Sequence, residues 1–340
     1  MRKGILAGGN WITDQVKITD CFPEQEKLAN ITEEYCSNGG AAYNLLKALY
    51  KLGANFPMEA IGLLGADERG NTIMEECRQM GIDTRQLRQT EAAHTSYTDV
   101  MTVKATGKRT FFHQRGANAL LDEHRFDFAI SGAKIFHLGY LLLLDQLDRT
   151  DATGITGAAR VLKRASDEGF ITSADIVSEN SDRFASVIPP ALPWLDYLFI
   201  NEFEAFKLTG ITTYKGTSIC MEGCWQAAEQ VIEMGVRKWA VLHFPEGAVA
   251  VSAAGEQVFQ PGLQLPAGTI SGTVGAGDAF AAGALLGIHE GMAMQESLNY
   301  GVCAAAASLF QPTSSEGILP LQACLNLPAL YGYRSSFITA

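Results

Sequence analysis

No stretch of this sequence is apolar for long enough to cross a bilayer. The longest candidate, residues 135–144, contains His137 and Gly139 and falls well short of the ~20 residues a membrane helix needs. Cysteine is sparse and irregular, seven residues in 340, which excludes a disulfide framework in a chain this long. Basic residues are outnumbered, 26 against 37 acidic, for a net charge of −11. A nucleic-acid partner needs clustered Lys and Arg against its phosphates, so none is expected. The opening MRKGILAGGNWITD breaks its apolar run at Gly8-Gly9-Asn10 and meets Asp14 early, unlike a secretory signal. These absences point to a cytoplasmic location, reduced thiols and a small-molecule partner. Two nucleotide motifs are missing as well. The only Gly-Lys pair, Gly107-Lys108, lies in an expected hairpin rather than a Walker loop. No Gly-x-Gly-x-x-Gly follows the first strand, so a nicotinamide-dependent dehydrogenase lacks its phosphate turn. Cys220 and Cys224 lack the second half of a zinc site.

What is present is a large supply of core. Hydrophobic residues make up 47% of the chain, and apolar runs of strand length alternate with segments of helical period, the pattern of a parallel sheet covered by helices. Strands are expected at 4–8, 59–64, 134–138, 170–174, 196–200 and 238–243. Helices are expected at 41–52, 71–80, 155–168, 224–234, 279–290 and 295–309, with Gly53, Gly81, Gly169, Gly235 and Gly291 as stops. Residues 15–37 and 95–114 are more polar, alternate as in SYTDVMTV, and read as strands of a small second sheet. The reading is one domain over 1–325, with lid segments near 15–38 and 95–118, and a tail at 326–340.

The chemistry concentrates at Gly272-Thr273-Val274-Gly275-Ala276-Gly277-Asp278, ahead of a helix. Small residues in a turn that opens a helix aim several backbone N–H groups, and the positive end of the helix dipole, at one point where an anion can sit. A carboxylate beside that hole repels phosphate but suits a general base for an attacking hydroxyl; the plainer alternative makes Asp278 an ordinary helix cap. Asn201 and Glu204 follow an expected strand, where open α/β sheets bind ligands, and an amide with a carboxylate suits hydrated Mg²⁺ and nucleotide phosphates. Gly39-Gly40 and Asn44 open a helix where backbone approaches a ligand closely and an amide can bond hydroxyls. His137, at the end of an apolar run, reads as core. His113 and Arg115 either touch phosphate or lie on a solvated edge, and Trp11 either stacks on a sugar or packs the lid hinge.

Taken in order, these motifs resemble the ribokinase-like (PfkB) sugar and nucleoside kinases from about Gly4 to Pro312. The resemblance also includes Asp14 after the first strand, the IGLLGADERGNTIMEECRQMGIDT stretch and QRGAN ending at Asn118. It implies a three-layer α/β/α sandwich with a mainly parallel sheet and a β-sheet lid that often forms a homodimer. It implies an ATP-dependent sugar kinase with Asp278 as base and Gly275, Ala276 and Gly277 as anion hole. Asp14, Gly39, Gly40, Asn44 and Asn118 would hold the sugar. Asn201, Glu204, Thr273 and Gly247 would serve ATP, with Glu204 reaching Mg²⁺ through water. A nucleoside kinase, or a protein of this fold that binds without transferring phosphate, are the alternatives. Four departures stand out. Gly272 replaces the usual Asp of cation-activated members, Phe244 replaces a nucleotide-contacting glycine, Val302 falls near a usual Asn, and QPTSSEG (311–317) replaces the usual Arg-x-Gly-Ala after the last helix.

Overall fold

The computed structural model describes residues 2–216 and 218–334. In chain order the first half comprises β1 (Ile5–Gly9), β2 (Ile12–Thr19), β3 (Ile31–Gly39), α1 (Ala41–Leu52), β4 (Met58–Gly65), α2 (Glu68–Gln79), β5 (Asp83–Thr90), β6 (Ser96–Val103), β7 (Arg109–Gln114), β8 (Ile135–Leu141), α3 (Asp145–Asp148) and α4 (Gly157–Asp167). The second half comprises β9 (Ile171–Ile176), α5 (Phe184–Val187), β10 (Tyr197–Asn201), α6 (Glu202–Thr209), β11 (Tyr214–Lys215), β12 (Ser218–Ile219), α7 (Met221–Glu233), β13 (Trp239–Phe244), β14 (Gly247–Ser252), β15 (Gln257–Pro261), α8 (Ala276–Glu290), α9 (Met294–Ser308) and α10 (Leu321–Tyr331).

Nine strands form the main sheet in the order β15-β14-β13-β10-β9-β8-β1-β4-β5. Seven run parallel and the β14–β15 hairpin closes one edge antiparallel. Strands buried on both faces need near-continuous apolar sequence, and β1 and β4 are buried along their whole length. Alternate residues of β1 serve two cores. Ile5 and Ala7 pack with α1, α2, α8 and α9, while Leu6 packs with the α4, α6 and α7 side. The result is three layers, helices on both faces of the sheet. α8 and α9 approach closely because their contact is built of small residues: a Cβ on Gly283 would lie 2.5 Å from the Tyr300 carbonyl oxygen.

A second sheet, β3-β2-β6-β7, is assembled from the two polar segments. β2 leaves the carboxyl end of β1 after only two residues, so this small sheet rises directly over the end of the large one. The strand order turns outward on either side of β1 and β8, which places a crevice at their carboxyl ends, where such sheets bind ligands. Gly9 pairs with Gly139 there, and a side chain on Gly9 would strike the Gly139 carbonyl. The body extends past the boundary expected at residue 325: α10 runs through it, Tyr333 bridges to Leu263, and the Arg334 N–H donates to the Gly262 carbonyl. Among the described residues no helix is long and apolar enough to cross a membrane.

Candidate active site

The anion turn and α8 meet as the motif implies. Gly275 caps α8 with a left-handed backbone (φ 73°), and a Cβ there would fall 2.4 Å from the Ser314 carbonyl oxygen, so only glycine closes the turn against that loop. Asp278 lies in the first turn of α8, beside the unbonded N–H groups at the helix start. It forms part of a cavity of about 520 Å³ between the two sheets, shared with Asp14, Gly40, Asn44, Asn201, Glu204 and the whole Thr273–Gly277 turn.

Asp278 is buried and held from two directions. Asn44 donates its amide N–H to Oδ2 at 2.7 Å, and the Tyr140 hydroxyl lies 2.7 Å from Oδ1 and 2.8 Å from Oδ2. Burial pushes its carboxyl up to about 7, Asp175 adds to the rise, the Tyr140 and Asn44 bonds oppose it, and Asp14 adds a little. Asn44 is itself fixed, because its Oδ1 accepts from Ser314 Oγ at 2.8 Å. Asn44, expected at the substrate, lines the cavity and holds Asp278 there.

Asp14 faces the same cavity from β2, and burial lifts it to about 7 against a Thr98 hydrogen bond. Gly39 makes room for it: a Cβ there would lie 2.1 Å from Asp14 Oδ2. The lid contributes Arg109, Phe111 and His113 to the cavity wall. Arg109 reaches across to the Thr273 hydroxyl of the anion turn, and burial draws its guanidinium below the usual range. His113 bonds Thr98 at 2.9 Å and is held near 4 by burial and then by Arg115, so it is neutral at ordinary pH. Arg115 turns away to Asp145 and the Leu142 carbonyl.

At the far end of the cavity Asn201 and Glu204 form a reciprocal cap on α6. The Asn201 side chain accepts from the Glu204 N–H at 2.8 Å, and Glu204 Oε2 accepts from the Asn201 N–H at 2.9 Å. Glu204 Oε1 takes hydrogen bonds from Ser178 Oγ at 2.6 Å and Asn201 Nδ2 at 2.9 Å, and burial raises its carboxyl to about 8. Among the described residues no group of three or more His, Cys, Asp or Glu converges on one point to hold an ion alone. An amide, a hydroxyl and a carboxylate already bonded to protein fit a hydrated divalent ion that arrives with phosphate ligands, not a resident one.

A second cavity of about 310 Å³ adjoins the first, and His243, Thr273, Ala276 and Gly277 belong to both. Its walls include Gly247, Phe244 and Val302. The His243 ring is kept neutral, near 4, by burial, and a Cβ on Gly277 would sit 3.2 Å from it.

The family model of the pfkB family carbohydrate kinases matches residues 5–320. The chain belongs to that family. Among its relatives, ATP-dependent ribose-1-phosphate kinase of Halopiger xanaduensis is 27% identical over 82% of each chain. Ribokinase of Haemophilus influenzae is 26% identical over 94% of this chain and 96% of its own. Adenosine kinase of Saccharomyces cerevisiae is 26% identical over 84% and 81%. Arabidopsis thaliana ribokinase, solved with ribose and ATP, superposes with a TM-score of 0.77 at 22% identity, covering 96% of this chain and 99% of that one.

Within this pfkB kinase, most of the residues expected at the site do face the two cavities. Asn118 does not. It is wholly buried, its Oδ1 accepts from the Trp11 N–H at 3.3 Å, and its Nδ2 donates to the Trp11 carbonyl at 3.1 Å. Trp11 is equally buried and donates its indole N–H to the Ile61 carbonyl at 3.0 Å, so it packs the hinge instead of facing a sugar. Tyr140, Asp175, Arg109 and His243 line the cavity without having been singled out. Asp175 and Tyr140 sit one residue before the ends of buried strands at the carboxyl edge, and an acid near the end of a strand-length run, as in ITSADI, was the available signal.

Proposed function

We propose that the protein is an ATP-dependent sugar kinase that transfers the γ-phosphoryl group of ATP to an acceptor hydroxyl, with Asp278 as general base. The observation that carries this reading is the position of Asp278: a buried carboxylate at the floor of the larger cavity, adjoining a glycine turn that opens α8 and borders the second cavity. The acceptor would occupy the side bounded by Asp14, Gly40 and Asp278. ATP would lie across the turn, its phosphates toward Thr273 and the N–H groups of Gly275, Ala276 and Gly277, its base in the second cavity near Gly247 and Val302. Phe244 and Val302 give that slot an apolar lining suited to a flat ring.

In the reaction Asp278 takes the hydroxyl proton as the acceptor oxygen bonds to the γ-phosphorus and the bond to the β-phosphate oxygen breaks, releasing ADP. The turn's N–H groups and the Arg109 guanidinium meet the charge of the transferring group. Magnesium, when bound with the nucleotide, supplies further positive charge to the phosphates, and Glu204 and Asn201 would hold it through water. The lid sheet covers the acceptor and excludes water from the reaction. A homodimer formed through the lid belongs to the same proposal, since β3 is an unpaired edge that exposes Ile31 and Tyr35.

Two measurements test the reading. ADP formation is followed against pentoses, hexoses, keto-deoxy sugar acids and nucleosides; a sugar is expected to give the highest kcat/KM, and a nucleoside in that place moves the substrate class to the alternative. With the best acceptor, Asp278→Asn should keep the fold and acceptor binding by calorimetry while kcat falls ~10²–10⁴-fold, the usual worth of a general base. More than half the wild-type kcat in that variant removes Asp278 from the role.

A further inference from the structure

Tyr140 is the one side chain whose hydroxyl reaches both oxygens of Asp278 among the described residues. Its position is built. β8 ends at the crevice, and the Asn10 side chain clamps its end and the segment after it, accepting from the Tyr140 N–H and donating to the Leu143 carbonyl. Asn10 is wholly buried. One residue further on, Asp148 accepts from the N–H groups of Leu142 and Leu144, both at 3.1 Å. Arg115 and Arg183 both donate to the Leu142 carbonyl. A loop pinned by four polar side chains thus presents one phenol to one carboxylate.

That carboxylate needs a donor. Asp175 from β9 and Asp14 from β2 face it across the cavity as further acids, and Glu204 of α6 lies on the same cavity wall. His243 from β13 and His113 from β7 are neutral there, and the Arg109 guanidinium is bonded to Thr273. Among the described residues the side chains that bond Asp278 are neutral donors, Asn44 and Tyr140, and its charge rests on them. A hydrogen bond donated to a carboxylate favours its ionised form, and a bond shared between both oxygens also fixes the plane of the group. Each carboxylate oxygen accepts about two hydrogen bonds, so Oδ1 keeps a free direction for an incoming hydroxyl.

We propose that Tyr140 is the positioning residue of the reaction's base: its hydroxyl keeps Asp278 ionised and aimed at the acceptor before substrate arrives. The proposal rests on Asp278 acting as the base. Tyr140→Phe removes the hydroxyl and keeps the ring. The acid limb of kcat/KM against pH should then move upward by half a unit or more, with most of the wild-type rate recovered at pH 9. Melting temperature gives a readout free of substrate. The deficit of Tyr140→Phe relative to wild type should be larger at pH 9 than at pH 6, because the lost bond matters only to the ionised carboxylate. In an Asp278→Asn background the deficit should be the same at both pH values. A coincident acid limb, a rate loss equal at every pH, or a melting deficit unchanged between pH 6 and 9 overturns the proposal. Asp278→Asn is assayed alongside: activity retained there overturns the base itself, whereas an inactive Asp278→Asn with an unmoved Tyr140→Phe limb overturns only the part given to Tyr140.

Discussion

An asparagine can serve a ligand or the backbone, and residue type alone does not say which. Asn118 closes the QRGAN run that resembles the sugar-contacting stretch of these kinases, yet both ends of its amide bond Trp11. Its work is to fasten the start of β2 under the lid. Asn118→Ala would leave a buried N–H and a buried carbonyl without partners, at ~1–3 kcal/mol each. Urea unfolding should therefore show a loss of about 2–6 kcal/mol, while kcat/KM measured well below the melting transition stays within a few fold of wild type. A stable variant with a greatly raised KM would return Asn118 to the substrate. Asp278 was legible as a candidate because a carboxylate beside glycines at an element boundary has few structural uses, whereas Asp14, with no glycine beside it, was reached only through the family resemblance. Tyr140 and Asp175 were not legible, because only the strand order brings β8 and β9 to the same edge.

At the scale of elements, periodicity and glycine stops located the buried strands and long helices to within a few residues. The polar edge strand β5, the short α6, the β14–β15 hairpin and α10 escaped, since an edge strand needs no apolar run, an eight-residue helix shows barely two turns of pattern, and α10 carries Pro328 inside it. The pairing of Asn201 with Glu204 as a reciprocal cap was readable in principle, as an Asn followed three residues later by Glu. One departure from the family pattern acquires a steric meaning. A side chain at Gly272 would begin 2.8 Å from Pro312 Cα and 3.0 Å from the Gln311 and Pro312 carbonyl oxygens, so the 311–317 loop fills the space that a carboxylate there would use. Protein contacts pin that loop: Ser314 bonds Asn44, and Glu316 pairs with Lys47 at 2.6 Å and Lys51 at 3.1 Å. Because the turn is braced by these contacts, activity should depend little on K⁺ or Na⁺. At constant ionic strength, replacing K⁺ by a bulky organic cation should change kcat/KM by less than about threefold, within the range of surface-charge effects. A tenfold rise on adding K⁺ would show that loop carbonyls build an ion site despite Gly272.

For the molecule as a whole, the site sets activity and stability against each other as pH rises. Asp14 and Asp278 are raised to about 7, Glu204 to about 8 and Asp148 to about 6, chiefly by burial. An acid whose folded value exceeds its unfolded one, near 4, contributes stability that is present below the unfolded value and lost as pH rises through the folded one. His113 and His243, lowered to about 4 by burial, act in the other direction. Their stability is present above the unfolded value near 6.5 and is lost as pH falls toward 4. Between about pH 4 and 6.5 the two sets oppose each other. From 6.5 to 8 the histidines only finish titrating in the unfolded state, while Asp14, Asp278 and Glu204 titrate in the folded one, so the acids dominate the slope and stability declines. Over that same interval Asp278 ionises and the proposed base becomes competent. Scanning calorimetry of the ligand-free protein should give a melting temperature a few °C lower at pH 8.5 than at pH 6.5, while kcat/KM rises between those values. A melting temperature that climbs with kcat/KM would mean that the buried carboxylates are already ionised at pH 6.5, and that the cavity holds its charge with more help from the lid than Arg109 alone provides.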